Sequence, residues 1–116
     1  MKINVTSVDY APPELEGQTQ FQVDLLRKIP SSDRPDCWLA VAAKPIRSLR
    51  ESQEVQVTHV IVWARWQGMQ IGPGMKQMPI GIAYVIDSSL LDNASLDFKK
   101  CIYVAIGIAD KLPLTT

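Results

Sequence analysis

The chain has 116 residues, 47% of them apolar, and a formal net charge of zero from 12 basic and 12 acidic side chains. That length suits a single domain spanning 1–116, able to bury about two-thirds of its unfolded surface without disulfide or metal support. The composition excludes intrinsic disorder, and the balanced charge argues against a general polyanion binder. Locally, however, Arg27, Lys28, Arg34, Lys44, Arg47 and Arg50 face only Asp33 and Asp36 within residues 27–50, a net of +4.

Met1 to Thr6 contain no apolar stretch of the kind that heads a secretory signal, and no apolar run approaches the roughly 20 residues a bilayer span needs. The expectation is a small soluble cytoplasmic domain with no membrane contact. Its two cysteines, Cys37 and Cys101, lie in apolar runs and are expected to stay as reduced, hydrophobic thiols.

Along the chain the dominant hydrophobic period is two, the signature of strands with distinct faces. Ile3 and Val5 alternate with Lys2, Asn4 and Thr6, giving a first strand that ends near Asp9. The segment 11–17, with Pro12 and Pro13, reads as a loop, since proline donates no ladder hydrogen bond. In 19–29, Phe21, Val23 and Leu25 alternate with Gln20, Gln22 and Asp24, a half-buried strand. After a Pro30–Pro35 loop, 36–44 is apolar on both faces, with Cys37, Leu39, Val41 and Ala43 on one and Trp38, Ala40 and Ala42 on the other. This strand is expected to be covered on both sides.

Residues 45–54 are ambiguous. Pro45 suits a first helical position and Ile46, Leu49 and Arg50 have helical spacing, so a short helix or turn is expected there. The next strand, 55–67, carries Val60, Val62, Ala64 and Trp66 on one face and His59, Ile61, Trp63 and Arg65 on the other. Gly68 to Pro79 is a long connection. In 79–87, Ile80, Ile82, Tyr84 and Ile86 form a bulky face against thin Gly81, Ala83 and Val85. In 100–110, Ile102, Val104, Ile106 and Ile108 are bulky against Cys101, Ala105, Gly107 and Ala109, with Tyr103 the exception. Residues 88–97 between them have room for one helical turn. Thin faces allow another backbone to come close, from a second sheet or a partner subunit.

Six strands with turn-rich joins predict a mainly β fold. The expected form is a six-stranded, largely antiparallel sandwich or barrel with at most one or two short helices. The alternatives are an α+β layer and a sheet completed or covered by a dimer partner.

Signals for chemistry are sparse. His59 is the lone histidine, followed by the apolar run Val-Ile-Val-Trp, and a serine triad or a Cys–His pair would need it as base. One His and two distant Cys do not make a zinc set, and Gly68, Gly72 and Gly74 lack the lysine and hydroxyl placement of a phosphate loop. Asp87 and Asp110 read as strand ends. No cofactor, metal or catalytic residue is therefore expected, and the balance is against an enzyme.

Trp63 and Arg65 share a face with His59, and an aromatic beside a guanidinium suits a planar or aromatic ligand. His59, Trp63 and Arg65, with Tyr84 and Tyr103, form the candidate ligand or partner face; the plainer reading puts Trp63 in the core with Arg65 lying along it. Met69, Met75 and Met78 form a candidate contact loop; the plainer reading tucks them back onto the sheet as core. The leading expectation is a non-catalytic binding protein that pairs with itself as a homodimer or with another protein. The second is a small-molecule-binding barrel or minor enzyme with its pocket near His59, Trp63 and Arg65. A weaker third is nucleic-acid binding through Lys44, Arg47, Arg50 and Arg65.

Overall fold

The alternating patterns become six strands: β1 (Lys2–Asp9), β2 (Phe21–Lys28), β3 (Trp38–Arg50), β4 (Gln53–Ala64), β5 (Met78–Val85) and β6 (Ile102–Lys111). One four-residue helix, α1 (Pro13–Glu16), joins β1 to β2. The structure, a computed structural model, describes residues 1–29, 34–72, 76–86 and 101–111. Each strand pairs antiparallel with the next, and β6 returns to pair with β1, closing the sheet into a barrel. Closure satisfies both edges of every strand, so the sheet needs no partner chain to complete it. The helix α1 is far too short to cross a membrane, which leaves open any crossing by strands.

The barrel interior is filled. Ile3, Val5, Val23, Leu25, Ala40, Ala42, Val60, Val62, Ile80 and Ile82 point inward and are buried. Leu15 from α1 is fully buried at one end, and Ile71, with Met78 and half-buried Met69, packs at the other. A second cluster lies on the outer wall of β3–β4–β5, formed by Ile29, Cys37, Leu39, Ile61, Trp63, Ala83 and Val85. The two clusters explain why 36–44 is apolar on both faces: Ala40 and Ala42 face the lumen while Cys37 and Leu39 face the outer cluster.

Three expectations need correction. Residues 45–54 form no helix; they are the end of β3 and its hairpin into β4. Inward Ile46 and Ser48 alternate with outward Arg47 and Leu49, and Pro45 falls where the β3–β4 register shifts between Val41 and Ile46, so its missing N–H breaks no ladder. Glu51 and Ser52 both take positive φ, 49° and 66°, the geometry of a two-residue primed turn. The Pro12-Pro13 loop contains α1, whose first turn accepts proline. On β6 the bulky set does not share one face. A register shift opposite Ile82 and Ala83 inserts Val104 as an extra residue, after which Ala105 and Ala109 turn into the core while Ile106 and Ile108 are half-exposed. The expected helical turn in 88–97 lies outside the described residues.

The thin face of β6 therefore serves closure within one chain. A Cβ at Gly107 would stand 2.7 Å from the Ser7 carbonyl oxygen across the β1–β6 seam. Gly107→Ala is expected to cost about 1–3 kcal/mol in denaturant titrations, with amide exchange quickening first in β1 and β6. Unchanged exchange there would mean that the seam does not depend on this close approach.

Candidate functional site

The barrel wall separates the residues that the sequence grouped. On β4, Val60, Val62 and Ala64 face the lumen, leaving His59, Ile61, Trp63 and Arg65 outward. Tyr84 sits on the other side of the wall, inside with Ile80 and Ile82. It thus cannot share a pocket with Trp63.

Trp63 pairs across the ladder with Gly81 and lies flat against it, only 5% exposed. The Arg34 guanidinium stacks 4.6 Å from its ring centroid, and Tyr103 lies at 6.0 Å, tilted by 43°. The cation–π partner of Trp63 is thus Arg34, while Arg65 turns to the exposed Trp66 at 5.5 Å. His59 lines a separate shallow depression of about 300 Å³ with Thr58, Val85 and Ile86. Its Nδ1 lies 2.9 Å from Thr58 Oγ1, and burial lowers its pKa, which keeps the ring neutral at pH 7. Met78 is buried and Met69 half-buried against the core; Met75 lies outside the described residues. Lys44 and Arg47 are exposed on β3, but Arg47 pairs opposite Gln56, nine residues from Arg65 along β4, or about 30 Å at roughly 3.3 Å per residue. The side chain of Arg50 is not described.

A different constellation forms at the barrel end where β1 runs into α1, β3 turns into β4, and β6 begins. A cleft of about 570 Å³ opens there between Tyr10, Pro12 and Glu14 on one side, Ser48, Leu49 and Glu51 on another, and Ile102, Tyr103 and Val104 on a third, with Tyr84 in its lining. The side chain of Gln18 fixes one wall. Its amide donates to the Arg47 carbonyl at 2.9 Å and accepts from the Arg47 N–H at 2.9 Å, in the manner of a neighbouring strand. Glu14 Oε1 accepts from the Leu49 N–H at 3.2 Å. The rim is apolar and wet at once: Tyr10 is 86%, Leu49 60% and Tyr103 51% exposed.

Tyr84 is the polar group of this cleft that carries information. It is 2% exposed, and its Oη meets no hydrogen-bond partner among the described residues. Buried hydroxyls without partners are uncommon, and each costs about 1–3 kcal/mol. Burial, and then the nearby Glu14 carboxylate, push its phenol up to about 12, so it stays protonated at all physiological pH. Sequence reasoning named Tyr84 and Tyr103 but missed Tyr10, Glu14, Ser48 and Leu49, which reach the mouth only through chain closure. The available signal was Tyr84 itself, a phenol on a stripe otherwise made of isoleucines.

The opposite end of the barrel is locked by Asp36, also missed. Its carboxylate accepts from the Ile71 N–H at 2.6 Å and Trp38 Nε1 at 3.1 Å, and pairs with Lys28 Nζ at 3.3 Å. No group of three His, Cys, Asp or Glu side chains gathers as for a metal among the described residues. Comparison with family models, with curated proteins and with solved structures finds no match to this chain.

Two outcomes follow from these contacts. A Cβ at Gly81 would fall 2.1 Å from the Trp63 ring, so Gly81→Ala is expected to expel the indole, red-shift its fluorescence and cost about 1–3 kcal/mol. The raised phenol of Tyr84 contributes stability that is complete below about pH 10, the unfolded value, and is lost as pH rises through about 12. Tyr84→Phe is expected to abolish this alkaline loss, followed by melting temperature against pH. At neutral pH it is expected to leave stability unchanged or higher, because it removes an unpartnered hydroxyl.

Proposed function

We propose that the protein is a non-catalytic binding module that takes a small ligand into the mouth of its barrel. The observation that carries this reading is the buried, unpartnered Tyr84 Oη lining a cleft of about 570 Å³. Ligand sites are concave, mostly apolar and furnished with a few placed polar groups, and barrel mouths are among their preferred positions. The cleft combines the two kinds of surface in about equal measure: Leu49, Ile102, Val104 and the tyrosine rings supply apolar surface, while Tyr84, Ser48 and Glu14 supply polar groups. The lumen below is filled by side chains, so a ligand rests on the core rather than entering it. The reading places the protein in the cytoplasm, where the Cys37 and Cys101 side chains stay reduced.

A second reading is favoured by the rim. Tyr10, Leu49, Ile102 and Tyr103 expose apolar area around one opening, and the zero net charge offers little repulsion between copies. In that reading the mouth is where two copies of the chain meet as a homodimer.

Amide chemical-shift mapping with a fragment panel, paired with sedimentation across a concentration series, separates the two. Fragments that shift Ala11, Ser48, Leu49 and Val104 in a monomeric protein support the ligand cleft. Concentration-dependent dimerisation that Leu49→Asp abolishes supports the second reading. Fragments binding only elsewhere, on a protein that stays monomeric, would overturn both.

A further inference from the structure

We infer that the ligand selected by this mouth is an organic cation, a protonated amine carried on an apolar body; the inference rests on the cleft being the binding site. Among the described residues, the charged side chains lining the cleft are Glu14 and Glu51. Arg47 lines an adjacent groove with Gly17 and Glu54. An anion entering the mouth meets like charge from two walls, whereas a cation is attracted by both.

The rings point to the same chemistry. Tyr10, Tyr84 and Tyr103 all line the cleft, and the face of an aromatic ring attracts a cation through its quadrupole. Tyr10 is held at φ 53°, a left-handed conformation that costs an L residue about 1–2 kcal/mol. That backbone carries an 86% exposed ring at the rim, where no packing rewards it.

The polar atoms suit an ammonium donor. Glu14 accepts one hydrogen bond from the Leu49 N–H, and a carboxylate has about four lone-pair sites. The buried Tyr84 Oη has lone pairs as well as a proton and meets no partner among the described residues. An ammonium donates three hydrogen bonds and accepts none, so the free lone pairs of Glu14 suit it, while the Tyr84 hydroxyl lies sealed beneath the cleft lining. A metal ion fits poorly, because the mouth offers two carboxylates, one already engaged, and no third ligating side chain gathers with them among the described residues. The cleft volume lies in the range of small-molecule sites, roughly 300–1,000 Å³, which favours a free amine.

The test is calorimetric titration of the full chain at neutral pH with phenethylammonium, phenethyl alcohol and hydrocinnamate, which share a body and differ in charge. The ammonium is expected to bind about tenfold tighter than the alcohol, with hydrocinnamate weakest, and its advantage should shrink as salt rises. Glu14→Gln keeps an acceptor for the Leu49 N–H and is expected to erase the preference while sparing the alcohol. Equal affinity for ammonium and alcohol overturns the cation assignment and leaves the cleft standing. Selectivity that survives in both Glu14→Gln and Glu51→Gln also overturns the assignment. No binding by any of the three probes overturns the cleft reading itself.

Discussion

The return of β6 onto β1 is the constraint on which the rest of this molecule depends. Without it, six short strands would expose two unpaired edges, each a template for association. Closure demands that the seam be narrow, and the chain meets the demand with small residues. Gly107, Ala105 and Ala109 line β6 where β1 approaches, and the β1–β6 register shifts between Val5 and Ser7. The bulge at Val104 has a second effect. It places small residues inward below it and leaves Ile102 and Tyr103 exposed at the mouth above it.

A six-stranded lumen holds side chains and little else. Valines and isoleucines fill it, Leu15 closes one end, and Ile71 and Met78 close the other. Any site must then sit on the outer wall or at a rim. Around Trp63 the outer wall is spoken for by the protein itself: the ring is pressed onto Gly81 and covered by Arg34 and Tyr103. The end held by Asp36 is tied shut by its three contacts. At the end above Tyr84 the core meets an open cleft.

Much of the fold was legible because a strand's faces alternate strictly, so burial writes itself into the sequence with period two. The double apolar face of 36–44 announced the outer cluster, and the alternation in 19–29 announced an inward Phe21, Val23 and Leu25. Where reading failed, a local signal was outweighed by a long-range one. Pro45 and the spacing of Ile46, Leu49 and Arg50 resemble a helix start, but pairing with β4 recruits the segment into a 13-residue strand. A bulge is invisible to periodicity, and one extra residue at Val104 reversed the faces of the remainder of β6. The site was less legible than the fold for the same reason. Trp63 and Arg65 are near neighbours in sequence yet find different partners, whereas Glu14, Leu49 and Tyr84 meet only after closure.

The two aromatic clusters differ in how fully their contacts are satisfied. Around Trp63 the contacts support one another: the ring is buried, its faces are covered, and the residue opposite is the one that leaves room for it. Around Tyr84 they do not. A phenylalanine would pack the same volume without a buried hydroxyl, and at Tyr10 a residue tolerant of left-handed backbone would relieve the strain. Local rules broken together at one opening, with no compensating contact among the described residues, are the observation on which the proposed binding mouth rests. In that proposal the occupant supplies the missing compensation, and Glu14 and Glu51 favour a positive charge on it.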